Sequence, residues 1–288
     1  MKLSLARLLL HLLAWMPLGL IRALAMVLAT IVMAVPVAGK RRRNITENLE
    51  QALPELTPQA RRRLMRRNLA AMAATLLESA LLWHRPRAWV ERHILGVEGY
   101  EHVERARARG QGLLFIGGHL GQWELSILYG SMNLPIAYLY KPPRSDRADA
   151  LLTERRGRFG AEMIPTGGAA LRRALRQLRA GRVVGMLFDQ LPRGGDFTES
   201  GFFGRPVATM TLPHRLVRAT GCAVVMGHCL RVPGGWTVVF DAVPGAEDPD
   251  PVRAGEALNR ALEQAVRRAP EQYLWQYRRF EALPVRSA

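Results

Sequence analysis

Residues 112–126, "GLLFIGGHLGQWELS", set the reading of the whole chain. An apolar run, Leu113 to Ile116, leads into two glycines, a histidine and a third glycine, and a helical pattern resumes near Gln122. Short apolar runs bounded by glycine read as buried strands. Ligands in open α/β sheets bind outside the carboxyl ends of the strands, so His119 stands where chemistry is expected. Further runs of the same kind come later in the chain: "IAYLY" (136–140), "VVGMLF" (183–188), "CAVVMGHCL" (222–230) and "WTVVFDAV" (236–243). Helical stretches such as "GGAALRRALRQLRAG" (167–181) lie between them, and residues 44–95 read as helical, broken at Pro54 with Thr57 as a cap before Pro58. Alternating strand and helix predicts an α/β domain whose mainly parallel sheet is flanked by helices.

His119 and Glu124 are five positions apart. On one continuous helix that spacing rotates the side chain by roughly 500°, or 140° net, so the two would not share a face. They meet if His119 lies in the glycine turn and Glu124 in the first turns of the following helix, and the turn's glycines permit close backbone approach by a substrate. A neutral imidazole there can take a proton from an alcohol attacking an acyl carbonyl, while a carboxylate on the other ring nitrogen fixes the tautomer. The acceptor hydroxyl is then itself the nucleophile. Taken alone, such a pair is more often a packed histidine and a solvent-facing glutamate.

The chain has 288 residues, 49% of them hydrophobic, enough for a substantial core. Its 41 Lys+Arg against 24 Asp+Glu leave a net charge of +17, which implies polyanionic partners or an anionic membrane surface. Zinc-finger spacings, RNP-like aromatics and interleaved basic and stacking residues are all missing, so nucleic acid is the weaker reading. Cys222 and Cys229 fall in one strand, more than ~20 Å apart at ~3.3 Å per residue, beyond disulfide reach. His11, His84, His93, His102, His214 and His228 show no ligand spacing, and neither a metal nor a cofactor is implied. From Leu12 to Ala38 the chain is almost wholly apolar, with Arg22 inside the run and "GKRRR" closing it at 39–43. That length can span a bilayer, and the basic cluster places the larger, carboxyl-terminal part of the chain in the cytoplasm. Arg22 leaves an interfacial or re-entrant segment open, and Lys2, Arg7 and "VPVA" leave a signal peptide open. The expected organisation is a membrane anchor over 1–39 and a catalytic domain over 40–288.

"GGHLGQWELS" resembles the H-x4-D/E signature of glycerolipid-type acyltransferases. With "NITENLEQALPELT", "GRVVGMLFDQLP", "GFFGRPVATM" and "APEQYLWQYRRF" in that order, nearly the whole chain resembles the late acyltransferases of lipid A biosynthesis, the lauroyl/myristoyl transferase family. The resemblance implies a glycerolipid acyltransferase-like fold with an N-terminal membrane helix at the bacterial inner membrane, its catalytic domain on the cytoplasmic side. It also implies acyl transfer from an acyl carrier protein to a hydroxyl of a lipid A precursor. His119 then matches the catalytic base and Glu124 its orienter. Arg156 falls where the family has a required arginine, its fork suited to phosphate groups and its alternative a solvated helix arginine. Asp189 matches the family's aspartate after a strand, either orienting a basic side chain or the acceptor, or capping the next element. Phe202 and Phe203 either line an acyl channel or pack in the core. The chain departs from the family at "YKPPRS", where Lys141 replaces an arginine as a substrate-binding residue, and at Tyr277, where histidine is common. Rival readings are a related acyltransferase with another glycolipid or aminolipid acceptor, and a non-catalytic basic membrane-binding protein.

Overall fold

The computed structural model describes residues 11–35, 39–191 and 196–281. Helices α1 (Leu18–Ala34), α2 (Gly39–Ala52) and α3 (Pro58–His84) precede the short α4 (Arg87–Arg92), which leads into β1 (Ile94–Glu98). Helix and strand then alternate through α5 (Tyr100–Ala108), β2 (Leu113–Gly117), α6 (Trp123–Asn133), β3 (Ile136–Tyr140), α7 (Asp146–Gly157), β4 (Glu162–Pro165), α8 (Ala170–Arg179) and β5 (Val183–Leu187). A hairpin of β6 (Phe197–Phe202) and β7 (Arg205–Met210) precedes α9 (Leu212–Thr220), β8 (Ala223–Val232), β9 (Gly235–Ala242) and α10 (Pro251–Arg268).

The main sheet has seven strands in the order β1-β9-β8-β2-β5-β3-β4. Every neighbouring pair is parallel except β8 with β9. β2 lies at the centre, and all of its residues are buried because both faces of the sheet are covered. Leu114, Ile116, Val184 and Met226 enter one core cluster, while Phe115, Tyr138, Val225 and Phe240 enter the other. The expected strands are present within two residues at each end. β1 instead occupies the end of the stretch read as helical, and β4, β6 and β7 lie where no strand was read. β1 and β4 are the two edges of the sheet, and "FTESGF" and "RPVATM" carry the polar residues, glycine and proline that blur a strand pattern. The helical break is where the sequence places it: the Thr57 hydroxyl accepts from the Ala60 N–H at 3.2 Å, capping α3.

The apolar run 12–38 is not one helix. Pro17 stands in extended backbone at the N-cap of α1, and the 17 residues of that helix extend roughly 25 Å at 1.5 Å per residue. Among the described residues no single helix is long and apolar enough to cross a membrane, although α1 and α2, bent by 98°, meet the length and composition together. Residues 1–10 and 36–38 of the expected anchor lie outside the described residues. The packing also shows why Arg22 interrupts the run. α1 buries Leu18, Ile21, Ala25 and Ala29, and on that side Arg22 donates through Nε to Glu78 of α3 at 2.8 Å and to the carbonyls of Val232 and Gly235. Its opposite side exposes Leu20, Met26, Val27 and Ile31.

Away from the site, His228 of β8 is 2% exposed, and both its ring nitrogens lack a hydrogen-bond partner among the described residues. Burial pushes its imidazole down to about 4, with Asp241 at 3.8 Å opposing only in part. The unfolded chain, with an ordinary value near 6.5, therefore binds this proton first as pH falls. The contribution is complete above about 6.5 and is lost progressively toward pH 4, a loss of about 2 kcal/mol between pH 7 and 5. Urea unfolding at those two pH values is expected to show the difference, and His228→Leu to abolish most of it. An unchanged midpoint in the parent would count against this assignment.

Candidate active site

β2 and β5 run parallel with Gly117 beside Leu187, so the residues two places beyond each strand, His119 and Asp189, emerge level with one another at the carboxyl edge. One carboxylate holds both ends of the histidine: Asp189 Oδ2 accepts the His119 backbone N–H at 2.8 Å, and Oδ1 lies 2.7 Å from Nδ1. Such closeness needs Gly118, where a Cβ would sit 2.5 Å from Leu262 and 3.2 Å from Asp189 Oδ2. Gly121, at φ +65°, turns the chain toward α6 so tightly that a Cβ would lie 2.0 Å from the Cys229 carbonyl.

On the other ring nitrogen, the Gln190 amide nitrogen is 3.2 Å from His119 Nε2. An amide nitrogen only donates, and an ionised carboxylate only accepts, so the ring carries its proton on Nδ1 and a lone pair on Nε2. Burial alone would raise the Asp189 carboxyl. The His119 ring and backbone N–H, with the Arg279 guanidinium beyond, outweigh burial and hold it below the ordinary carboxylate value. Tyr273, itself buried, lies beside Asp189, and burial and that carboxylate drive its phenol well above the ordinary value.

Glu124 does not take the place expected of it. It is in the first turn of α6, as read, but its carboxylate is gripped by both arms of the Arg156 fork, with Nε at 2.9 Å from Oε2, and by Trp83 Nε1 at 3.2 Å. The carboxylate bonded to the His119 ring is Asp189, because the parallel register of β2 and β5 brings it level with His119, while α7 delivers Arg156 to Glu124. Arg156 is correspondingly committed to an ion pair. Phe202 and Phe203 also fall away from the site, packing with Tyr273, Trp275 and Phe280.

A cavity of about 740 Å³ opens over this edge, with His119, Trp123, Lys141, Arg156, Gln190 and Tyr277 among its walls. The carboxyl-terminal segment closes its underside. Leu274 N–H donates to the His119 carbonyl at 3.0 Å, and Leu191 N–H donates to the Tyr277 hydroxyl at 2.8 Å. Buried asparagines hold that segment: Asn48 donates to the carbonyls of Trp275 and Tyr277, and Asn68 to those of Glu271 and Tyr273. "NITENL" and "QYLWQY", far apart in sequence, are therefore two halves of one clamp. Gln190, Tyr273 and Asn68 escaped sequence reasoning; only Gln190, next to Asp189 at a strand end, gave a local signal.

A His–Asp pair at the carboxyl edge of a parallel sheet, with an unprotonated Nε2 facing a cavity and no nucleophilic side chain bonded to it among the described residues, is an arrangement that can take a proton from a substrate group. Residues 2–282 match the model of the bacterial lipid A biosynthesis acyltransferase family, and the chain belongs to it. It is 30% identical over 254 residues to the lipid A biosynthesis lauroyltransferase of Escherichia coli K12 and 28% identical over 250 residues to that organism's lipid A biosynthesis palmitoleoyltransferase, covering 85% of this chain and 81% of each relative. A lipid A biosynthesis acyltransferase of Haemophilus influenzae is 25% identical over 241 residues, 83% of this chain and 75% of the relative. The protein is an acyltransferase.

Proposed function

We propose that this acyltransferase moves a fatty acyl group from an acyl carrier protein to a hydroxyl of a lipid A precursor, with His119 as general base oriented by Asp189. The observation that carries the reading is the tautomer: Nδ1–H is spent on Asp189, and Nε2 offers a lone pair to the cavity. The acceptor hydroxyl displaces the Gln190 amide from Nε2 and attacks the thioester carbonyl as its proton passes to the ring. Collapse of the tetrahedral intermediate breaks the carbon–sulfur bond, and the imidazolium returns the proton to the leaving thiolate. Asp189 stabilises the imidazolium between the two transfers. Glu124 acts through Arg156, holding the guanidinium at the cavity wall, where it and Lys141 face the anionic groups of the acceptor. The acceptor class is supported by the names of the relatives, and the donor by the charge surplus and the family resemblance.

Residues 1–39 serve as the membrane attachment and 40–288 carry the chemistry, at the cytoplasmic face of the inner membrane. The exposed apolar side of α1 and the basic start of α2, with Lys40, Arg41 and Arg43 exposed, support this. The test is purified enzyme with acyl carrier protein thioester and lipid A precursor, product read by mass spectrometry. Donor affinity is expected to fall as salt rises and the Debye length shrinks from ~10 Å at 0.1 M to ~3 Å at 1 M. A donor saturation curve unchanged by salt, with acceptor saturating, would assign the surplus charge to the membrane alone.

A further inference from the structure

Neither α8, "ALRRALRQLR", nor α9, "LPHRLVRAT", contains an acidic residue, and the two helices pack against each other on one flank of the sheet. Ala174 and Leu178 of α8, with Leu216 and Val217 of α9, enter the core beneath. The outer side is basic: Arg172, Arg176 and Arg179 of α8, Arg218 of α9 and Arg182 just beyond α8 are exposed. Neighbouring carboxylates are already taken, Glu162 by Arg173 at 2.6 Å and Asp196 by Arg215 at 3.2 Å. Arg172, Arg176, Arg179, Arg182 and Arg218 make no ion pair among the described residues. The α8 arginines are spaced four and three apart, which makes one stripe about 10 Å long on a single helix face. Like charges at those spacings weaken a helix, so the stability of α8 does not explain the stripe.

Both helices start at the active-site cavity, since Thr166, just before α8, and Leu212, the first residue of α9, line it. They then run back toward the amino edge of the sheet. Arg182 directly precedes β5, whose Val183 is level with Leu113, and α9 leads into β8, whose Ala223 is level with Leu113 as well. α1 lies toward the other edge. Its Arg22 bonds the carbonyls of Val232 and Gly235, where β8 has run on past the carboxyl end of β2. The stripe therefore leads from the cavity away from the helix with the exposed apolar side. A bilayer that meets α1 is on the wrong side for Arg179 and Arg182, whereas a soluble acidic protein on this flank covers the whole stripe and holds a tethered thioester beside the cavity.

The geometry points to the outer face of α8 and α9, with Arg172, Arg176, Arg179 and Arg218, as the docking surface for the acidic carrier protein that brings the acyl group. This rests on the acyl-transfer reading above and adds to it the place where the donor binds. Exposed cations of this kind act on encounter and apparent affinity and leave the chemical step alone. Arg172→Glu/Arg176→Glu/Arg179→Glu is therefore expected to raise the KM for acyl carrier protein thioester about tenfold at ~0.1 M salt, with kcat within about twofold of the parent. At ~1 M salt, where the Debye length is ~3 Å, the difference should close. Arg62→Glu/Arg63→Glu/Arg66→Glu, on exposed positions of α3, changes the net charge equally and is expected to keep the donor KM within about twofold of the parent.

The experiment measures donor saturation curves for the parent and both variants, with lipid acceptor saturating and thermal unfolding checked for each protein. An acyl thioester of N-acetylcysteamine, which has no protein part, is offered in parallel, and the parent and the α8 variant are expected to use it at equal rates. Should the α8 variant fail to fold, Arg176→Glu and Arg218→Glu are each expected to raise the donor KM about two- to threefold. An unchanged donor KM, an equal rise in the α3 variant, or a loss that extends to the small thioester would overturn the assignment. So would an α8 variant that binds anionic phospholipid vesicles more weakly than the parent while its donor KM is unchanged, since the face then belongs to the membrane. A parent that transfers from the small thioester and not from the carrier protein would instead remove the donor named above, so the two failures are told apart.

Discussion

His119→Ala and Asp189→Asn are each expected to lower acyl transfer by about 10² to 10⁴ while leaving the thermal midpoint within a few degrees of the parent. For His119 the reason is loss of the lone pair that Nε2 presents to the cavity beside Gln190. For Asp189 it is a matter of acceptor count. The carboxylate accepts two N–H groups of the same residue, the His119 main chain and Nδ1. An asparagine side chain has one oxygen, and its amide nitrogen would confront whichever N–H the oxygen does not take. Keeping the backbone bond then forces the ring into the other tautomer, with the proton on Nε2 and no base facing the acceptor. The loss should appear in kcat, with donor and acceptor KM little changed. Glu124 predicts a different pattern, since its partner is Arg156. Glu124→Gln and Arg156→Gln should each reduce activity, and the double variant should cost little more than either alone, because both break one ion pair. Steady-state assays of the five proteins check these outcomes together. An Asp189→Asn enzyme within a few-fold of the parent would remove Asp189 as orienter.

The sheet was legible because its central strands are short, apolar and bounded by glycine, and burial on both faces leaves no competing pattern. Edge strands such as β4, "EMIP", gave no such signal, being half-buried and only four residues long. At the site, His119 was legible from its place between a strand and a helix. Local spacing favours the nearby Glu124 as its partner, whereas the ring bonds Asp189. The actual contact is set by register between β2 and β5, strands far apart in the sequence but adjacent in space, where Gly117 pairs with Leu187. Arg22 shows the same limit. One arginine in an apolar run looks like an interruption of a membrane span until its partner, Glu78, is seen 56 residues away.

Glu78→Gln is expected to destabilise the fold by about 3–5 kcal/mol, the cost of breaking a buried ion pair from one side. The carboxylate is fully buried and accepts from Arg231, Arg22, Gln122 and Trp236. Burial alone would raise it, but Arg231 and then Arg22 hold it below the ordinary value, so it is the single negative charge between two cations. A neutral glutamine leaves both guanidinium groups uncompensated. Removing one of them as well, in Glu78→Gln/Arg22→Met, should recover part of the loss, and the comparison by urea unfolding separates charge imbalance from lost packing. A single variant less than about 1 kcal/mol below the parent would mean that water reaches the cluster. The same carboxylate joins three parts of the molecule: Arg22 is on α1, Arg231 on β8, and Gln122 directly precedes α6 in the turn that carries His119. Gln122 is fixed twice more, by its side chain to the Thr75 carbonyl at 3.0 Å and by its main chain to the Cys229 carbonyl at 2.7 Å. Loss of Glu78 should therefore loosen α1 and the catalytic turn together, and proteolytic release of α1 should accompany, rather than trail, the fall in acyl transfer.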